Sequence, residues 1–172
     1  MRHLAVLALL ILVLPVAVRA QEIILREDPR PPLLKQLDGE WLMKGDVLGK
    51  PVTYLLVAGP TLRARFTELH MRDLAQPPQY EARVFLGFDA ESGELIAHWM
   101  DEFGARYSIP HGTGRIDGSI LQFTFPYAGG PFRDTFEFDP RNGTWSFRIE
   151  AGKPDGSWKH FANVWGVDYE WV

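Results

Sequence analysis

The chain has 172 residues, of which 46% are hydrophobic and 23% charged, with a formal charge of −4; these are proportions of an ordinary globular protein with room for one sizeable core. An acidic balance with no run of Lys or Arg argues against nucleic acid and against a polybasic membrane contact as partners. Cysteine is absent, which excludes disulfide staples, a thiol nucleophile, iron–sulfur ligation and covalent haem attachment.

Residues 1–20 read as a secretory signal peptide. Arg2 and His3 form a basic start, Leu4 to Val18 is an apolar run broken by Pro15, and Val18-Arg19-Ala20 suits a signal peptidase. The apolar run is short for a membrane-spanning helix, which needs about 20 residues. The expected location is therefore periplasmic or secreted, with no stable membrane insertion once the signal is cleaved. Residues 21–32 are polar and Pro-rich and read as an extended leader, ahead of a single domain over residues 33–172.

Pro32 to Leu37 has apolar residues at helical spacing behind a proline, and Asp38-Gly39 ends it, so one short N-terminal helix of about two turns is expected. From Glu40 the pattern changes to period two. Strands are expected at Glu40–Leu48, Val52–Ala58 and Thr61–Met71, with Gly49-Lys50-Pro51 and Gly59-Pro60 as the breaks. Asp73–Gln79 reads as a loop. Tyr80, Ala82, Val84, Leu86 and Phe88 share one face of the next strand, Tyr80–Asp89.

Further strands are expected at Glu94–Asp101, Ala105–His111, Ser119–Tyr127, Phe132–Asp139, Thr144–Ala151 and Ser157–Trp165, with a possible short tail strand over Val167–Val172. Asp117-Gly118, Pro140-Arg141-Asn142-Gly143 and Lys153-Pro154-Asp155-Gly156 carry the turn chemistry between them. Consecutive hairpins without helical crossovers make a meander. Closing it removes exposed edges, so the expected fold is all-β, an antiparallel up-and-down barrel of about nine or ten strands. An open two-sheet sandwich is the alternative.

Three motifs carry a resemblance. Leu37-Asp38-Gly39-Glu40-Trp41 is similar to the "L-x-G-x-W" opening of calycin-like barrels. Leu86-Gly87-Phe88-Asp89 with His98-Trp99-Met100-Asp101 resembles "G-[YF]-D … W-x-D", and Gly112-Thr113-Gly114 with Asp117-Gly118 resembles "G-T-x-x-D-G". In that order they resemble a bacterial domain-of-unknown-function family with a lipocalin-like barrel, over about Leu34 to Phe161. The resemblance implies a barrel whose interior holds a small ligand, but neither a reaction nor a ligand identity. Nitric-oxide-binding haem barrels share the Gly-x-Trp opening, but Met43 and Lys44 stand here where those proteins carry more glycine.

Alternation nominates the side chains that share the barrel interior. Leu95, Ala97, Trp99 and Asp101 form one face of their strand; Leu62, Ala64, Phe66, Glu68 and His70 are expected to form the inward face of theirs. The candidate cavity is Trp41, Tyr54, Phe66, Glu68, His70, Trp99, Asp101 and His111: aromatic walls with a few polar groups to orient a ligand. The structural reading of the same residues is a filled aromatic core, with Asp101 capping a turn and Glu68 in solvent. His70, His98, His111 and His160 have no HxH or HxxxH spacing, so no metal is expected, nor any other cofactor. No catalytic motif is present. The favoured function is a binder of a small apolar or amphipathic molecule. The alternatives are a filled barrel acting through its surface and, behind that, a cavity-based isomerase or hydrolase. Oligomeric state is not encoded in any pattern read here.

Overall fold

A computed structural model describes residues 27–169. The signal peptide call, leader residues 21–26 and the last three residues of the tail lie outside them. One short helix, α1 (Pro32–Lys35), precedes ten strands: β1 (Gly39–Val47), β2 (Lys50–Thr61), β3 (Phe66–Asp73), β4 (Glu81–Asp89), β5 (Glu94–Asp101), β6 (Gly112–Asp117), β7 (Ile120–Phe125), β8 (Phe132–Asp139), β9 (Thr144–Gly152) and β10 (Trp158–Asp168). Each strand pairs antiparallel with its chain neighbour, and β10 closes on β1, giving an up-and-down barrel. The sandwich alternative is excluded by that last pairing. Among the described residues no helix is long and apolar enough to cross a membrane.

The hairpin chemistry works as the turn residues dictate. Leu48 and Gly49, at φ 52° and 78°, form a two-residue turn between Val47 and Lys50, and Gly118 at φ 57° does the same between Asp117 and Ile120. Two expected turns are displaced. The break read at Gly49-Lys50-Pro51 falls one residue earlier, with Lys50 and Pro51 already paired in β2. β2 runs straight through Gly59-Pro60, which pair with Glu68 and Thr67, and the chain reverses instead at Leu62, Arg63 and Ala64, all at φ between 49° and 60°. A further correction concerns Ala105–His111, which is not a strand. Gly104 at φ 86° opens a short 3₁₀ turn there (Ala105–Tyr107), and Pro110 offers no N–H to a ladder. The tail strand is the continuous end of β10 as far as Asp168.

The two ends of the barrel differ. At one end α1 acts as a plug: Leu34 and Leu37 are fully buried, the Trp41 indole donates to the Leu37 carbonyl at 2.8 Å, and the Trp145 indole donates to the Gln36 carbonyl at 3.1 Å. The helix is a single turn, shorter than its apolar spacing suggested, because Gly39 at φ 134° turns the chain into β1. Asp28 to Pro31 is not a loose leader. The Arg30 guanidinium is buried and donates to Asp28, Asp38 and the Thr67 hydroxyl of β3, strapping the segment across this end. The opposite end, where β4 begins and β5 ends, carries no α-helix, only the 3₁₀ turn Ala105–Tyr107 in the loop after β5, and is called the mouth below.

The interior is packed. Phe136 and Phe147 stack at 4.2 Å between ring centroids, and Trp99 stacks on Phe147 at 6.0 Å. The cavity among Met43, Leu56, Leu69, Met71, Val84, Trp99, Phe136 and Phe147 measures about 10 Å³, roughly one water.

Candidate functional site

Strand phase decides which of the nominated residues meet. Trp41 points inward but belongs to the plugged end. In β3 the displaced turn changes the face: Thr67, Leu69 and Met71 are buried, so Phe66, Glu68 and His70 point outward, contrary to the alternation read from Leu62. There Phe66 lays its ring over Gly87, Glu68 accepts from Arg83, and His70 Nε2 lies 2.6 Å from Glu81 Oε1, which holds Glu81 below its ordinary carboxylate value. His111 is exposed outside the barrel, its ring 5.5 Å from that of His98. Among the described residues no group of three or more His, Asp or Glu side chains gathers as a metal-ligand set.

Tyr54, Trp99 and Asp101 do converge, at the mouth, with Tyr80 between them. The Tyr54 and Tyr80 rings are 5.8 Å apart. The Trp99 indole donates to the Tyr80 hydroxyl at 3.3 Å, and that hydroxyl donates to Asp101 Oδ2 at 3.4 Å. Burial, then the nearby Asp101 charge, hold the Tyr80 hydroxyl far above its ordinary value, so it acts only as a neutral donor and acceptor. Asp101 also caps the turn into the following loop, accepting from the Phe103 N–H at 3.1 Å. It therefore serves both the turn and the mouth.

The other side of the mouth was not anticipated. Tyr127 stacks on Phe125 at 5.7 Å, Phe132 meets Tyr127 edge-on at 5.9 Å, and Phe161 meets Phe132 at 5.2 Å. Beneath this aromatic wall lies Asp134. It shares the inward phase of β8 with Phe132, Phe136 and Phe138, and it is only 4% exposed. Its cross-strand neighbours are Phe123 and Ile149. No donor among the described residues hydrogen-bonds its carboxylate. Burial alone pushes its pKa up to about 8, so at neutral pH the group is held mainly as the neutral acid. Burial, then the charges of Asp134 and Asp101, raise the Tyr127 hydroxyl to about 12; Tyr127 thus senses both carboxylates.

The phase of the aromatics in Phe132-Arg133-Asp134-Thr135-Phe136-Glu137-Phe138 was the available signal for Asp134: an acid in register with three phenylalanines faces where they face. The assembled site is an aromatic rim around three carboxyl groups: Asp73 and Asp101, engaged by loop N–H groups, and Asp134, which has no protein donor.

No family model matches the sequence, and no curated protein is similar to it. Among solved structures, Rv2717c from M. tuberculosis superposes with a TM-score of 0.54 at 12% identity, covering 80% of this chain and 98% of that one. At that identity the likeness is one of fold, and what it establishes for this chain is the barrel.

Proposed function

We propose that this barrel is a binder of a small amphipathic molecule, exported to the periplasm or beyond as residues 1–20 suggest, and that its site is the mouth rather than the centre. A binding pocket for a drug-sized molecule measures about 300–1,000 Å³, against the roughly 10 Å³ at the centre of this barrel. The observation that carries the proposal is Asp134: a residue only 4% exposed in the inward phase of β8, with no protein donor against its carboxyl group, whose oxygens therefore still reach solvent through the mouth. An unpartnered buried acid is costly to keep, and such groups gather at functional sites. The lipocalin-like family resemblance fits the same reading, since barrels of that kind bind ligands from one open end.

The test is native mass spectrometry of the protein purified from its own envelope fraction, compared with the denatured mass. An extra mass released by denaturation, and missing from a Tyr127→Ala variant, supports the proposal. A bare mass, with no change in tryptophan fluorescence across a panel of small aromatic compounds, overturns it. The packed interior favours a second reading, a filled barrel that acts through its surface. For that reading the exposed rim residues Phe103, Tyr107 and Ile109, at 64%, 53% and 70%, are the contact to examine.

A further inference from the structure

We infer that the mouth selects molecules bearing a cationic nitrogen on an apolar or aromatic body, with the Asp134 carboxylate as the counter-charge. The inference rests on the mouth being a binding site, and it names the chemistry of the occupant.

The argument starts from the charges. The polar groups in the inward phase at the mouth are Asp73, Asp101, Asp134 and the hydroxyls of Tyr54, Tyr80 and Tyr127, and the one cation in that phase on β2, Lys50, stands exposed at the hairpin end. The nearest arginines are committed elsewhere. Arg133 turns outward, donates to Glu150 at 2.8 Å and lies 4.2 Å over the Trp158 ring. Arg106 is exposed and lies over Tyr107. Elsewhere this chain surrounds a buried ionisable side chain with partners: Arg30 has three. Asp134 has no protein donor and is mainly neutral until one is supplied. An anionic ligand would meet the carboxyl groups of Asp73, Asp101 and Asp134, whereas an ammonium group supplies the counter-charge and the hydrogen-bond donors that let Asp134 ionise.

The walls make the same selection. The rings of Phe125, Tyr127 and Phe132 cluster at the end of β8 that carries Asp134, in whose phase Phe132 lies, and Trp99, Tyr80 and Tyr54 complete the rim. Aromatic faces attract ammonium groups by cation–π interaction, most strongly where water is excluded. The rings also bury the apolar body of such a ligand, which an inorganic cation does not have.

A proton consequence follows. In the free protein at neutral pH Asp134 is mainly the neutral acid. The ligand's ammonium pairs with the carboxylate, so the Asp134 O–H bond breaks heterolytically and its proton passes to solvent as the ion pair forms. Affinity then rises with pH until Asp134 is ionised in the free protein as well, and levels off above that point. Of the groups facing Asp134, Phe123 and Ile149 on the flanking strands do not ionise, and Tyr127 is held far above the range. Two other carboxylates stand at the mouth: Asp101, sensed through Tyr127 and tested separately, and Asp73, paired across from Tyr54 and held by the Ala75 and Gln79 N–H groups.

The experiment is calorimetric titration of the full mature chain with 2-phenylethylamine and with its uncharged analogue 2-phenylethanol, between pH 6 and 8.5, in two buffers of different ionisation enthalpy. The amine should bind at least about tenfold more tightly than the alcohol. Its affinity should climb by up to about tenfold between pH 6 and 7, with buffer-dependent heats that report proton release. Asp134→Asn should abolish both the preference and the pH dependence while Asp101→Asn keeps them. Near-ultraviolet circular dichroism checks that both variants hold the native packing. If amine and alcohol bind alike, and Asp134→Asn binds as well as wild type, the charge inference fails while the mouth remains a binding site. If the amine preference disappears only in Asp101→Asn, the assignment to Asp134 is overturned. If neither probe binds at millimolar concentration, the inference and the binding reading fall together.

Discussion

A single missing methyl group decides how closely two strands of this barrel can approach. A Cβ built on Gly45 of β1 would land on the Asn163 carbonyl and lie 2.7 Å from the Cα of Val164 in β10. Those atoms are backbone and cannot swing aside, unlike the far end of a side chain. Gly114 stands in the same relation to β7, with the Phe123 Cα at 2.9 Å. Gly59, by contrast, has nothing within 4 Å of its built Cβ, and its φ is not positive. Gly45→Ala should therefore destabilise the barrel by about 2–3 kcal/mol, whereas Gly59→Ala should change stability by less than about 0.5 kcal/mol. Urea unfolding midpoints of the two variants check this. Equal midpoints would mean that the β1–β10 seam is loose enough to absorb a methyl.

At the scale of elements, the plug is the part most exposed to test. α1 is one turn long and could not hold its shape unaided, because a helix this short has lost its nucleation cost without recovering it. It is held by Leu34 and Leu37 in the core, by two indole bonds, and by the Arg30 strap. Asp28 and Asp38 keep about a third of their side-chain surface, so they can rehydrate when Arg30 is lost, but the Thr67 hydroxyl cannot. Arg30→Met, which keeps the stem, should cost about 1–3 kcal/mol and release amide protection in 34–38 ahead of the strands; hydrogen exchange measures both. Exchange that stays uniform across plug and barrel would show that the strap adds nothing local.

How far these elements were legible depends on what each signal measures. The face Tyr80, Ala82, Val84, Leu86, Phe88 was readable because alternation is unbroken over the whole of β4. The face of β3 was misread because Gly59-Pro60 resembles a turn by composition, while the actual reversal uses Leu62, Arg63 and Ala64, residues with no preference for positive φ. One displaced turn moved Glu68 and His70 from inside to outside, since register errors in a strand exchange its two faces. Half of the mouth was visible in Tyr54, Trp99 and Asp101. Tyr127 and Asp134 were not: the phase of β8 turns Asp134 inward, but only closure of the barrel brings it and Tyr127 to the mouth.

For the molecule as a whole, these groups combine into a stability profile with its maximum on the acid side. Asp28 is held at about 2 by its bond to Arg30, and Asp46, Glu81, Asp89 and Asp155 are also lowered, through their bonds to His160, His70, Ser92 and Ser157. Each contributes stability above its unfolded pKa that is lost as pH falls through its folded value. Asp134 acts in the opposite sense. Between its ordinary value of 3.8 and about 8 the folded protein keeps a proton that the unfolded chain has released. The folded state then binds more protons, so stability declines as pH rises through that window and is level above it. The full decline is on the order of several kcal/mol, large against the stability of a domain this size. Asp134→Asn removes the group that must ionise. The variant should match wild type near pH 4 and exceed it increasingly up to pH 8, read from urea midpoints at pH 4, 6 and 8. Parallel profiles would mean that Asp134 ionises freely in the folded barrel, and that its burial is open to water. A wild-type protein made less stable by its own mouth, at the pH where an amine would relieve the cost, is what a site shaped for a cation requires.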